Sequence, residues 1–189
     1  FNPTDETMEP VVMHLPSYLS AKVSPSKLAP RHAGEISIVL DSKKLRDFGL
    51  NQTSLYLGSK PGDKVSPDKE ITASAVLLPG FDKLTPQQKV NAPKISLSST
   101  TLDLGSFNGK KKLKGEIQVT NAGKTNLDIR SMQMFTVGLQ VSLNKTVIKP
   151  GETAKLKVTA IASELLKTRV KKPRILMITN DPDMPKVVV

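Results

Sequence analysis

In the last hundred residues of this chain, apolar side chains fall at every second position in one short run after another. No other feature restricts its fold more. "KISLSSTTLDLGSF" alternates Ile95 and Leu97, then Leu102 and Leu104. "KLKGEIQV" places Leu113, Ile117 and Val119 on one side. "NLDIRSMQM", "GLQVSL" and "TAKLKVTA" repeat the pattern, "RILMITN" is apolar on both faces, and "KVVV" closes the chain. A period of two belongs to strands buried on one face, and turn signals every 8–15 residues separate the runs. Seven such segments predict an all-β fold, a seven-stranded immunoglobulin-like β-sandwich over 93–189.

The turns carry their own signatures. "NAG" at 121–123 supplies residues that tolerate a left-handed backbone, and Pro150-Gly151 occupies the central positions of a type II turn. "NDPD" at 180–183 predicts an Asx-type turn before the last strand. In the longer connection "SELLKTRVKK", Ser163 is a candidate cap for one helical turn.

The same pattern occurs earlier, about 120 residues upstream. "SKLAPRHAGEISIVL" aligns with "TVIKPGETAKLKVTA", setting Pro30 over Pro150, Ile36 over Leu156 and Ile38 over Val158. "SLYLGSKPG" aligns with "RILMITNDP", setting Leu55 over Ile175 and Leu57 over Met177. The chain therefore divides into an incomplete sandwich over 1–80, a Pro-containing linker over 81–92 with Pro79 and Pro93 beside it, and the second sandwich. "FNPT" corresponds to the end of the second strand, so the first copy lacks the equivalent of residues 94–119. Such a copy exposes a sheet edge and part of its core. Either residues upstream of Phe1 supply the missing strands, or another chain donates them by strand exchange.

Charge is divided unequally. Residues 1–91 hold 11 basic and 10 acidic side chains, a net +1, whereas 92–189 hold 17 and 7, a net +10. Loops of a seven-stranded sandwich alternate between two poles. Lys110, Lys111, Lys112 and Lys114 at the first connection therefore share a pole with Lys167, Arg169, Lys171, Lys172 and Arg174 at the fifth. This basic pole is a candidate anion-binding surface for an acidic polysaccharide, a lipid headgroup or nucleic acid. The bland alternative is a solvated lysine-rich end. Nucleic acid is disfavoured because no stacking aromatics interleave with the lysines.

Catalytic chemistry has little to stand on. The chain has no cysteine, which removes thiolate ligands, Cys nucleophiles and disulfides. His14 and His32 lack companions, and no phosphate-binding glycine loop, GxSxG or HExxH occurs. Asn180, Asp181 and Asp183 offer too few oxygens for calcium and suit a turn better. "NQT" at 51–53 and "NKT" at 144–146 fit the N-glycosylation acceptor pattern. No cofactor is implied, and no stretch approaches the ~20 apolar residues of a membrane span.

Four motifs of the second half together resemble a family. They are Asp103-Leu104-Gly105; Val119 with Asn121 and Gly123; Pro150-Gly151-Glu152 with Leu156 and Val158; and Thr179-Asn180-Asp181-Pro182. The stretch is similar to the bacterial immunoglobulin-like domains of unknown function, akin to Hydin and major-sperm-protein domains. The match is good over the second half and weak over the first. The resemblance implies an exported protein of Gram-negative bacteria, periplasmic or extracellular, lipid-anchored through residues upstream of Phe1, with no enzymatic activity. Many members carry a Cys-Gly-Cys-type motif after the third strand. Here "SMQMFTVG" and "VMHLPSYL" stand there without cysteine, so no redox or metal role carries over. The expected function is a non-enzymatic structural or binding module, with another protein or an anionic polymer as partner.

Overall fold

A computed structural model describes residues 1–134, 136–168 and 172–189. It comprises two compact units, Phe1–Leu77 and Leu78–Val189. The Arg169 and Lys171 positions of the basic cluster lie outside the described residues.

The second unit is a two-layer antiparallel sandwich. One sheet runs β6 (Ile95–Leu97), β7 (Lys112–Asn121), β11 (Thr153–Ile161), β9 (Leu139–Leu143). The other runs β10 (Val147–Ile148), β8 (Leu127–Met134), β12 (Ile175–Thr179), β13 (Lys186–Val188). The seven expected segments are all present as strands, and β10 is an eighth within "TVIKPGE". Its two residues are too short to show alternation, so only its pairing with Leu127 and Asp128 reveals it. The second half of "KISLSSTTLDLGSF" is not a strand. Leu102 and Leu104 instead lie across β7 at Gly115, where a Cβ would sit 2.6 Å from Leu104.

Alternation becomes burial across the β7–β11 ladder. Leu156 pairs with Ile117 and Ala154 with Val119, and all four are buried, while the intervening Lys155 and Lys157 are exposed. Fully burying an aliphatic side chain of this size contributes roughly 1.5–3 kcal/mol, so this ladder is a large share of the core. β12 lies between β8 and β13 and is buried at all five residues, as its two-faced apolar sequence requires.

Two buried polar side chains fasten the strand ends. The amide of Asn121 donates to the carbonyls of Thr125 (2.7 Å) and Ile148 (2.9 Å), and its oxygen accepts from the N–H of Gly123 (2.9 Å). Asp181 accepts from the N–H of Ile95 at 2.8 Å and from that of Asp183 at 2.9 Å, which ties β6 to the opposite sheet. The second bond is the expected Asx turn. Gly151 has φ +75°, as a type II turn requires. Gly123 is not left-handed; a Cβ there would stand 2.4 Å from the Ala92 carbonyl, so close approach explains the glycine.

Residues 81–92, expected as a linker, belong to this second unit and carry a short helix, α1 (Pro86–Val90). Thr85 and Gln88 form its capping box, with Pro86 in the first turn. The second helix, α2 (Ala162–Leu165), has Ile161 at its N-cap without a side-chain cap bond; Ser163 lies within the helix rather than capping it.

The first unit repeats part of this plan. β2 (Leu19–Ser24) and β3 (Glu35–Leu40) form one sheet; β1 (Val11–Met13), β4 (Gly49–Gly58) and β5 (Glu70–Leu77) form the other. Register carries over at an offset of 120. Val23–Ile36 and Ala21–Ile38 match Leu143–Leu156 and Val141–Val158, and Val12–Leu57 matches Met132–Met177. The Met8–Leu28 bridge stands where Leu127 pairs with Ile148, with Met8 at an offset of 119 and Leu28 at 120. The fold class is therefore all-β, with the β6 and β7 equivalents missing from the first unit.

Candidate functional site

Three connections meet at one end of the second unit: residues 98–111, the β8–β9 loop, and the segment from α2 to β12. The Ala162 N–H donates to the Lys111 carbonyl (3.0 Å), the Ile161 N–H to Gly138 (2.8 Å), and the Lys110 N–H to Phe107 (2.8 Å). Gly138, at φ +95°, sits so close to α2 that a Cβ would lie 2.9 Å from the Leu165 nitrogen. A side chain there would break the contact between the loop and the helix.

This frame carries the basic side chains. Lys110, Lys111, Lys112 and Lys114 are exposed, with Lys112 opposite Ile161 and Lys114 opposite Thr159. Lys167, Lys172 and Arg174 are exposed on the α2–β12 segment of the same end. Only Lys167 is paired, to Glu164 at 3.5 Å; among the described residues none of the other six forms an ion pair. Seven of the nine cations expected at this pole are described, and chain topology puts all seven at that end. Uncompensated like charges on one surface favour an anionic partner and disfavour a cationic one.

Beneath this end lies a cavity of about 220 Å³ whose lining includes Leu102, Leu104, Phe107, Leu113, Leu165 and Ile175. Phe107 is half-buried and lines this cavity. Exposed apolar side chains accompany the lysines here, with Leu166 86% and Val137 69% exposed. Sequence reasoning missed both, because a single apolar residue in a polar loop carries no periodic signal.

The remaining candidates are structural. His14 stacks edge-on against Tyr56 at 5.3 Å, and the His32 ring nitrogen Nδ1 lies 2.7 Å from the Pro30 carbonyl. Asp181 is committed to backbone N–H groups, and no metal-binding cluster occurs among the described residues. The amide of Asn51 donates to the Asp47 carbonyl, and the oxygen of Asn144 accepts from the Lys155 N–H. No helix among the described residues is long and apolar enough to cross a membrane.

Two packed antiparallel sheets, a buried asparagine at the end of β7 and a buried aspartate tying β6 define an immunoglobulin-like β-sandwich. A family model described as HYDIN/CFA65/VesB-like, Ig-like domain matches residues 93–189. The chain belongs to that family. A comparison with curated proteins gave no match. Among solved structures, the chain is similar to a protein of unknown function from Porphyromonas gingivalis W83. That likeness has 23% identity and a TM-score of 0.70, over 100% of this chain and 85% of the other. At that identity it shows the fold.

Proposed function

We propose that this protein is a non-enzymatic, exported structural or binding module, and that the basic pole of its second unit engages an acidic polymer. Six exposed cations that form no ion pair among the described residues, on one bonded frame, carry this reading. The family supports a binding or structural role rather than catalysis, and the periplasmic or extracellular location is part of the same proposal. An acidic polysaccharide fits better than nucleic acid, because the sequence interleaves no aromatic residue with these lysines for bases to stack on.

The test is binding of a sulfated polysaccharide, such as heparin used as a probe, across a salt series. Affinity should fall tenfold or more between roughly 50 and 200 mM salt as counterions are released. Lys110→Glu with Lys111→Glu should weaken binding and flatten the salt dependence by about one unit per lost contact. Absence of binding at low salt, or binding indifferent to salt, would count against the proposal.

A further inference from the structure

The buried positions of β11 shrink as the strand approaches the basic end, from Leu156 through Val158 to Ala160. Ala160 lies opposite Leu113 on one side and Leu139 on the other. Where Leu156 and Ile117 meet, the space between the sheets is filled. Around Ala160 it opens into the cavity of about 220 Å³. All the described side chains that line it are apolar. Leu102, Leu104, Phe107, Leu113, Leu139 and Leu165 are only half-buried, so the cavity reaches solvent at this end.

The cations follow this lining closely along the chain. Leu113 stands between Lys112 and Lys114, and Pro173 between Lys172 and Arg174. Phe107 and Leu165 precede Lys110 and Lys167 by three and two positions. Adjacent Cα atoms are about 3.8 Å apart, so the charged side chains ring the apolar opening. The acidic side chains of these connections, Asp103 and Glu164, are both engaged. Asp103 accepts from the Gly105 N–H at 2.8 Å, and Glu164 pairs with Lys167 at 3.5 Å. Leu166, largely exposed, adds to the apolar surface beside the ring.

An apolar cavity within a ring of cations is complementary to a molecule that has both an apolar and an anionic part. We propose that this end of the second unit binds a single medium-chain fatty acid, with its alkyl chain in the cavity and its carboxylate among Lys112, Lys114, Lys172 and Arg174. Size sets the chain. An apolar cavity of about 150 Å³ holds a six-carbon ring, so this one accommodates roughly eight carbons and leaves no room for a second chain. Burial of the chain supplies affinity, about fourfold per methylene, while the cations hold the carboxylate at the mouth. An acidic polymer meets the same lysines but has nothing to place in the cavity. The inference rests on the anion-binding reading for the charge and on the cavity alone for the chain.

Octanoate titrated into the 189-residue protein and followed by methyl NMR tests it. Binding should saturate at one equivalent and shift the methyls of Leu104, Leu113 and Leu165. From butanoate to octanoate, affinity should rise about fourfold per methylene and then level off from decanoate onward. Octanol should bind more weakly than octanoate at low salt, and added salt should shrink the difference. Ala160→Leu fills the cavity from below; it should cut octanoate affinity by about tenfold or more and leave heparin binding unchanged. Heparin binding without saturable octanoate binding would overturn this inference and leave the anion-binding reading standing. Saturable octanoate binding without heparin binding would uphold this inference and sink the acidic-polymer reading. Affinity that keeps climbing through dodecanoate would mean adsorption to the surface and would overturn it. Equal binding of octanol and octanoate at low salt, or normal octanoate binding by Ala160→Leu, would do the same. The chain-length series uses the unsubstituted protein, so it decides the matter even where that variant fails to fold.

Discussion

The two units share a register and differ in completeness, which separates what a strand specifies from what its neighbours supply. "EISIVL" and "KLKVTA" take the same place and pair with β2 and β9 through matching partners. Yet β11 alternates buried with more accessible residues along its whole length, whereas β3 buries no residue fully. Pairing on one side and the local turn set register. Coverage from the second neighbour converts alternation into a core.

The largest expected effect tests that difference directly. Leu156→Ala removes a side chain enclosed on all sides and should destabilise the second unit by about 2–5 kcal/mol. Ile36→Ala, at the same register position, should cost about 1 kcal/mol or less in the 189-residue chain, because part of that side chain already meets solvent. Denaturation followed by residue-resolved NMR reads both. Equal losses would break the comparison, since β3 would then be covered as well as β11.

Next in size come the two asparagines, where the units should agree. Asn121→Ala removes a hydrogen bond from the Thr125 and Ile148 carbonyls and from the Gly123 N–H; Asn2→Ala removes one from the Glu6 and Leu28 carbonyls and from the Thr4 N–H. Each substitution should cost on the order of 2–3 kcal/mol by the same denaturation measurement. A neutral Asn2→Ala would mean that the start of the first unit is not held as Asn121 is held.

These residues also mark the limit of what the sequence discloses. Alternation exposed every strand of the second unit except the two-residue β10, and the repeat transferred that plan to the first unit. Turn residues were legible where backbone conformation decides, as at Gly151, but not where contact decides, as at Gly123. Asn121 and Asp181 looked like turn formers, because a short polar residue between strands has no pattern showing whether its side chain turns inward. The basic pole was legible for a topological reason: lysines at odd-numbered connections must share an end. That Leu166 and Val137 stand exposed among them depends on how three loops fold over one another, which strand periodicity does not encode.

A smaller effect separates the units at the turn before β3 and β11. Gly151 has φ +75° and its counterpart Arg31 has φ +60°, a conformation that costs a side-chain-bearing residue about 1 kcal/mol. Gly151→Arg should therefore destabilise the second unit by about that amount. Arg31→Gly should change the first unit by less, because relief of strain is offset by a more flexible unfolded chain and by loss of the exposed ion pair to Asp5. Matched thermal unfolding of the two variants decides it, and an equal and opposite pair of shifts would show that Arg31 contributes nothing beyond its backbone.

The smallest effect concerns one carboxylate in each unit. Asp63 is held below the ordinary aspartate range chiefly by the Ser59 N–H, with Lys69 adding a weaker pull against the opposing effect of burial. Glu152 is held below the glutamate range chiefly by its hydrogen bond to Lys145 at 2.9 Å. In both cases the folded state favours the charged form. The stability each contributes is thus present above the group's ordinary value and is lost as pH falls through its lowered one. The causes differ in their response to salt. The Glu152 interaction is with a side-chain ammonium near solvent, and added salt should screen it and move its midpoint back up. The principal partner of Asp63 is a backbone dipole at hydrogen-bond distance, so its midpoint should move less. NMR titrations of the two carboxyls at low and high salt measure this, and an equal upward movement would mean that Lys69, not the Ser59 N–H, dominates at Asp63.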